Sequence, residues 1–360
     1  MYANPHLVLD LAATAPGSLT RQAPSNIALV KYWGKHGRQL PRNPNASLTL
    51  TVARTITELA WTERTDGQRA GISLELFYDG TAKPAFAERV KAFFAGLTDV
   101  YPFLPQLHWT VRTRNTFPHG AGIASSASAM AALAVCLTDF EGLHFPDAPT
   151  GTERQRKASY LARLGSGSAS RSVFAKAAAW GETHALDGSS DEYAVGLGHR
   201  LHPVFHDYQD TILLVSEAEK SVSSSAGHGL MDGQAYAQTR YALANRRFER
   251  LLEILRRGDL DNFCALVERD ALDLHALMMQ SAPPYLLMEP GTVAIMKAVQ
   301  AFRQNTGTPL CFTLDAGPNV HLLYPRSATA EVDAFVAAEL MPWAPGGQIR
   351  DHVGEGAGAL

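Results

Sequence analysis

Four stretches of this 360-residue chain carry residue types whose spacing suits chemistry on anions. In Ala23-Pro-Ser-Asn-Ile-Ala-Leu-Val-Lys-Tyr-Trp-Gly-Lys35, two lysines four apart, Lys31 and Lys35, bracket Tyr32 and Trp33. Lysines in so apolar a setting suit a phosphate or carboxylate, and Tyr32 adds a hydroxyl and a flat face. Spacing alone also fits a solvated lysine pair beside a structural Trp. The second stretch, Thr116 to Met130, is a small-residue loop running into a helical pattern. Pro118 fixes one φ angle, while Gly120 and Gly122 let the backbone pass close to a bulky anion. Ser125, Ser126 and Ser128 then open a helical run, Ala129–Leu137, whose first turn leaves N–H groups to face that anion. Taken alone, it equally fits an Ala/Ser-rich buried helix after an ordinary loop. The third, Gly165-Ser-Gly-Ser-Ala-Ser-Arg-Ser172, combines close backbone approach, the hydroxyls of Ser166 and Ser168, and Arg171, which can grip a carboxylate by two parallel bonds. A Ser/Gly linker is the plainer alternative, weakened by Val173-Phe174 directly after it. The fourth, Phe312-Thr-Leu-Asp-Ala-Gly-Pro-Asn319, places one acid, Asp315, where an apolar strand enters a Gly-Pro turn. That position suits a general base as well as a turn cap.

The elements that must position these residues read as follows. Alternating and β-branched runs predict strands near Ser47–Ala60, Gly71–Tyr78 and Leu107–Asn115. Helices are expected near Ala85–Ala95 and Arg154–Leu164. Asp210–Ser216 reads as a buried strand, followed by two long helical patterns, Gly233–Arg257 and Leu260–Met279, parted by Gly258. A helix near Gly291–Asn305, strands Pro309–Leu314 and Val320–Tyr324, and a last helix Glu331–Glu339 complete the order. Strand-rich first and helix-rich later, without regular β-α alternation, this order predicts an α+β fold of two lobes with a boundary near 190–210. The expected division is an N-terminal extension over 1–20, lobes over 21–200 and 201–345, and a fraying Gly-rich tail over 346–360.

Bulk numbers exclude several classes. Hydrophobic content of 46% with 19% charged residues describes a globular chain, not a disordered one. With 32 basic and 35 acidic residues the net charge is −3, so no global field favours nucleic acid or a membrane, and anion binding must come from local placement. No charge occurs from Asn115 to Thr138, yet that segment is Gly- and Ser-rich and its helical part too short to span a bilayer. Cys136, Cys264 and Cys311 lie far apart and read as reduced core residues of a cytoplasmic protein. Residues 1–20 lack the pattern of a secretory signal and read as a loosely ordered extension. His202 and His206 are four apart, but Pro203 breaks the helix that would align them on a metal.

The glycine loop is neither a Walker A motif nor a dinucleotide fingerprint. Its spacing, Pro-x-x-x-Gly-x-x-Ser-Ser-x-Ala, is similar to the ATP-phosphate loop of the GHMP small-molecule kinases. The four clusters in their order, from about Ala23 to Glu339, resemble the mevalonate diphosphate decarboxylases of that superfamily. The Lys-Tyr-Trp-Gly-Lys and Gly-Ser-Gly-Ser-x-x-Arg motifs belong to the decarboxylase branch and are unusual in the simple kinases.

The resemblance implies a ribosomal-protein-S5-domain-2-like N-terminal lobe with a GHMP C-terminal lobe, usually as a homodimer. It implies phosphorylation of the C3 hydroxyl of mevalonate 5-diphosphate by ATP with Mg²⁺, then loss of phosphate and CO2 to give isopentenyl diphosphate. Asp315 would orient or deprotonate that hydroxyl, Arg171 would hold the carboxylate with Asn26 helping, and Lys31 would stabilise the transferring phosphoryl group, with Ser168 near the reacting centre. Tyr32, Lys35, Ser166 and Ser225 would contact the 5-diphosphate. Pro118, Gly120, Gly122, Ser125 and Ser126 would cradle ATP, through which Mg²⁺ is bound, with Ser126 its candidate side-chain contact and no metal motif of its own. Two departures stand out. Gly34-Lys35-His36-Gly37 replaces the frequent Gly-Lys-Arg-Asp, and Ala226 follows Ser225 where some relatives carry Arg or Thr. These keep mevalonate 5-phosphate open as substrate, beside a kinase without decarboxylation and a relative that only binds.

Overall fold

A computed structural model describes residues 1–65, 71–118, 123–216, 218 and 222–360. In chain order come β1 (Gly17–Val30), a short hairpin of β2 (Lys35–His36) and β3 (Leu40–Pro41), β4 (Asn45–Glu63), β5 (Ser73–Tyr78), β6 (Thr81–Ala82) and α1 (Pro84–Ala95). Next are β7 (Leu107–Asn115), α2 (Ser125–His144), α3 (Gly151–Gly165), β8 (Ala177–Trp180) and β9 (Ala194–Gly196). Then follow β10 (Gln209–Leu213), α4 (Ser224–Gly229), α5 (Ala237–Arg257), α6 (Leu260–Met279), α7 (Pro290–Thr306), β11 (Cys311–Leu314) and β12 (Val320–Tyr324). Last are α8 (Thr329–Phe335), β13 (Gln348–His352) and β14 (Gly358–Ala359).

Two sheets organise this α+β fold. The larger runs β14-β1-β4-β7-β5-β6, with β8 joined to β4 and β9 to β8; the smaller runs β11-β12-β10-β13. α2 packs on the larger sheet. It is apolar on all sides through Leu137 because it is enclosed, not because it meets lipid: it is long and apolar enough to cross a membrane, yet most of it lies inside the fold. It also runs further than Ala129–Leu137 at both ends. Its C-terminal half carries two buried acids that are paired. Asp139 meets Arg21 and Arg154, and Glu141 accepts from Lys157 at 2.7 Å and Tyr101 at 2.9 Å.

β1 was not among the strands expected from the sequence, yet it carries the first part of the Ala23–Lys35 motif. From Ala23 to Val30 every residue is buried, so the strand shows no polar–apolar alternation to reveal it. Its pairing with β4 slips twice, between Pro24 and Asn26 and between Ala28 and Val30. At the first slip β4 bulges outward over residues 50–53 and its backbone leaves the ladder. Asp351 of β13 fills the gap: its carboxylate accepts from the N–H groups of Thr51 (2.8 Å), Val52 (2.8 Å) and Ala53 (2.7 Å). A side chain from the smaller sheet thus completes the backbone of the larger one.

The termini also differ from expectation. Residues 1–16 do not hang free: Leu7 and Leu9 are buried in the first core, and the Tyr2 hydroxyl donates to Glu153 at 2.7 Å. Nor does 346–360 fray. After β13 the chain returns across the N-terminal lobe, Gly354 N–H donating to Thr49, and β14 pairs with β1 at Arg21 and Gln22. Gly354 is required there, since a Cβ would meet the Thr51 hydroxyl at 1.8 Å. The helix expected from Gly233 starts at Ala237, after a turn in which Gly233 takes φ +80°. Gly258 ends it at φ +74°, as its stop position demands.

Replacing Asp351 with Ala leaves three buried or part-buried N–H groups without their acceptor. Stability should fall by roughly 3 kcal/mol in urea unfolding, at one to a few kcal/mol per orphaned donor. A loss below about 0.5 kcal/mol would show that the bulge does not depend on this carboxylate.

Candidate active site

A cleft of about 860 Å³ lies where the lobes meet. β1 delivers Asn26 to it, and the chain just beyond the strand brings Lys31, Tyr32 and Lys35. The start of α2 contributes Ser125 and Ser126, and a 3-10 turn over Gly167–Val173 contributes Ser168 and Arg171, with Ser166 just before it. From the C-terminal lobe come Ser225, on α4, and Asp315, at the end of β11. Residues up to 289 positions apart in sequence therefore share one wall (Asn26 to Asp315). Pro118 is exposed and does not line the cleft; Gly120 and Gly122 lie outside the described residues.

The cleft is strongly cationic in an acidic chain. Among the described residues, Lys31, Lys35, Arg38, Arg89 and Arg171 line it against one carboxylate, Asp315. Two of these cations are buried. Lys31 is 1% exposed, and burial pushes its ammonium down to about 8, opposed by the charges of Asp315 and Asp270 and reinforced by Arg171. It donates to the Ala28 carbonyl at 2.6 Å.

Arg171 is held by three neutral acceptors: Nε donates to Ser47 Oγ at 3.0 Å, Nη1 to Asn45 Oδ1, and Nη2 to Asn26 Oδ1 at 3.2 Å. Asn26 is fixed in turn by donating to Ser172 Oγ (2.8 Å) and the Ser168 carbonyl (3.2 Å). Burial lowers Arg171 to about 10, with Asp315 acting the other way. Among the described residues no carboxylate forms an ion pair with it. A buried guanidinium without a paired acid is strongly favoured to receive one.

The backbone of Lys31 is clamped by the other lobe. Its N–H donates to Asp270 Oδ1 at 2.8 Å, and its carbonyl accepts from Arg240 and Asn43, each at 3.2 Å. Asp270, on α6 and fully buried, also takes both arms of Arg240 (2.7 and 2.9 Å) and Arg247 (2.9 Å). Burial alone would raise its carboxyl; the arginines and the Lys31 N–H outweigh that and hold it below the ordinary range. One turn and a half further along α6, His275 Nε2 lies 3.1 Å from the Asp315 carbonyl and fixes the acid-bearing turn.

Sequence reasoning passed over Asn45, Ser47, Asp270 and His228. The last packs against the rings of Tyr32 (centroids 4.3 Å) and Trp33 (4.6 Å), and its Nδ1 accepts from the Gly34 N–H at 3.0 Å. The two anion loops read from the sequence are neighbours in space: Ser126 Oγ lies 3.3 Å from Ser166 Oγ. Beside them an apolar recess of about 150 Å³, walled by Leu76, Tyr78, Phe86 and Val111, opens off the cleft and shares Arg89, Ser125 and Ser126 with it. Cations around one acid, two adjacent anion loops and a flat apolar recess suit transfer of a phosphoryl group between two bound polyanions. Among the described residues no group of three or more His, Cys, Asp or Glu is placed to hold a metal ion.

Asp270 should matter more to stability than any surface charge. Asp270→Ala strands Arg240 and Arg247 and is expected to lower unfolding free energy by about 3–5 kcal/mol, read by urea denaturation. A change under 1 kcal/mol would mean that water replaces it.

Comparison with known proteins agrees with this geometry. A diphosphomevalonate decarboxylase-like N-terminal domain model matches residues 23–194, and a mevalonate 5-diphosphate decarboxylase C-terminal domain model matches 211–351. A diphosphomevalonate decarboxylase of Ganoderma lucidum is 31% identical over 87% of this chain and 80% of its own. Among solved structures, the mevalonate diphosphate decarboxylase from Enterococcus faecalis is 26% identical with a TM-score of 0.79, covering 95% of this chain and 98% of that one. A complex of MDDEF with MVAPP, AMPPCP and magnesium gives 27% and 0.79, over 96% and 99%. The Staphylococcus aureus enzyme, at 24% and TM-score 0.82 over 97% and 99%, shares the fold.

Proposed function

The chain belongs to the diphosphomevalonate decarboxylase family, and on that premise we propose how its cleft works on substrate. The protein is a carboxy-lyase: it decarboxylates mevalonate 5-diphosphate with ATP and Mg²⁺, giving isopentenyl diphosphate, ADP, phosphate and CO2. The observation that carries the residue assignment is Arg171, a buried guanidinium held by neutral partners in a cleft where Asp315 is the one acid among the described residues.

Arg171 receives the substrate carboxylate, with Asn26 keeping the guanidinium in place. Asp315 takes the proton of the C3 hydroxyl, whose oxygen attacks the γ-phosphorus of ATP. Lys31 meets the charge that spreads over the transferring phosphoryl oxygens. The C3–O bond of the phosphate ester then breaks and phosphate leaves. The electron pair of the bond to the carboxylate becomes the new double bond to C3, and CO2 departs. Ser168 borders this centre. Tyr32, Lys35, Ser166 and Ser225 hold the 5-diphosphate. Ser125, Ser126 and the Gly120–Gly122 loop would hold the ATP phosphates, through which Mg²⁺ would be bound, Ser126 offering it a hydroxyl. The apolar recess beside Arg89 is the place for the base. A kinase that stops at the 3-phosphate has no use for Arg171 as placed. We further propose a cytoplasmic homodimer acting on a small molecule, without nucleic acid or membrane partners, in the mevalonate pathway of isoprenoid biosynthesis.

The deciding assay follows ADP and CO2 with Mg-ATP on mevalonate, mevalonate 5-phosphate and mevalonate 5-diphosphate. Equal ADP and CO2 from the diphosphate alone is expected; ADP without CO2 would identify a kinase, and preference for the monophosphate would change the substrate. Asp315→Asn should abolish both products while ATP still binds, and Arg171→Gln should reduce turnover at least 100-fold, the loss of about 3 kcal/mol expected for an unpaired carboxylate. Most activity retained by either variant would remove that residue from the mechanism.

The acidity of Lys31 sets a pH limit. In the free enzyme its ammonium persists below about 8 and is lost as pH rises through that value, so kcat/KM should fall above pH 8. Bound phosphates favour the ammonium, so the matching limb of kcat should lie at higher pH. A kcat/KM flat from pH 7 to 10 would exclude Lys31 as the titrating group.

A further inference from the structure

His228 belongs to none of the motifs discussed above, yet it lies in the middle of the substrate wall. Its ring packs against those of Tyr32 and Trp33, tilted by 42° and 34°. Gly34 N–H donates to Nδ1, so in the neutral imidazole the proton sits on Nε2. Burial, and next the charge of Lys35, hold the ring neutral by pushing it down to about 3, while Asp315 pulls weakly the other way. The proton on Nε2 is therefore present at every working pH. Nε2 has no hydrogen-bond partner among the described residues, and the side chain lines the cleft. Ser225 lies three residues earlier on α4, hence on the same helical face, and Lys35 is close enough to act on the ring.

We infer that His228 is a further substrate-binding residue, its Nε2–H donating to a phosphoryl oxygen of the substrate's 5-diphosphate beside Lys35, Tyr32 and Ser225. The inference rests on the assignment of the substrate above. The donor is fixed in direction because the ring cannot flip without giving up the Gly34 bond, and fixed in protonation because the site disfavours the imidazolium. It adds a neutral contact to a wall otherwise made of cations and hydroxyls.

Two isosteric replacements separate its two nitrogens. Asn places an oxygen where Nδ1 accepts from Gly34 but has nothing at Nε2; Gln reaches the Nε2 position with an N–H donor. Steady-state kinetics on mevalonate 5-diphosphate should give His228→Asn a KM raised about 10- to 100-fold, as for loss of a hydrogen bond to a charged group, with kcat within threefold and the KM for ATP unchanged. His228→Gln should recover KM to within about threefold of wild type. An unchanged KM in His228→Asn would overturn the inference. So would a fall in kcat at constant KM, which would put the ring at the reacting centre, or a KM for ATP raised in parallel, which would mean a collapsed cleft. Should Asn not fold, the Gln variant decides by itself: a KM raised tenfold or more there overturns the assignment. If the wild type releases no CO2 from this substrate, the underlying reading fails independently. Calorimetry with inorganic pyrophosphate then still tests His228: weaker binding to His228→Asn supports the contact, and equal binding removes it.

Discussion

Everything in the cleft depends on one buried carboxylate that touches no substrate. Asp270 gathers Arg240, Arg247 and the backbone N–H of Lys31 into a dry cluster, and it does so across the join between the lobes. A buried acid alone would be costly, and so would the arginines; together they are tolerated because each satisfies the others' hydrogen bonds. The consequence for chemistry is positional. Lys31 can remain an almost wholly buried ammonium just past an apolar strand because its main chain is held from the far side. The same helix steadies Asp315 through His275. The cation and the acid are thus referred to one rigid element.

The cleft itself is a second constraint of the same kind. Its buried cations exceed its carboxylates, and the neutral asparagine and serine partners of Arg171 orient the guanidinium without neutralising it. The site is prepared for charge that arrives with ligand, which is the condition under which fixed dipoles and ions act most strongly on a developing anion. The net charge of the chain gives no hint of this, because the effect lies in placement and dielectric, not in totals.

The legible parts of this protein were those whose local signal and tertiary fate agree. α5 and α6 show amphipathic periodicity and a glycine stop between them, and β4 and β7 alternate along their exposed stretches. β1 was hidden because a strand buried on both faces has no alternation, and because Pro24 argues locally against a central strand. The turn over Gly167–Val173 looked like a loop since Gly and Ser punctuate it, yet the Ser159 hydroxyl of α3 donates to the Ser170 carbonyl and the Ser170 hydroxyl closes the turn on the Gly167 carbonyl. Asn26, Lys31, Arg171 and Asp315 were readable because they sit in short patterns whose chemistry is unusual. Asp270 was not, being one of several acids on an ordinary helix, and His228 stood in a Ser/Gly segment with no partner in sequence. Their roles come from what folding places against them.

The return of the chain's last strand to the first one has a consequence for how the molecule is made. The N-terminal lobe is synthesised first, but its edge strand stays unpaired and the bulge in β4 lacks its acceptor until residues 348–359 have left the ribosome. Folding therefore cannot finish lobe by lobe during translation, as independent domains often do. Until then the N-terminal lobe waits with an open edge, a period of exposure to chaperones or to mispairing, and residues 348–359 act as the latch that closes both lobes together.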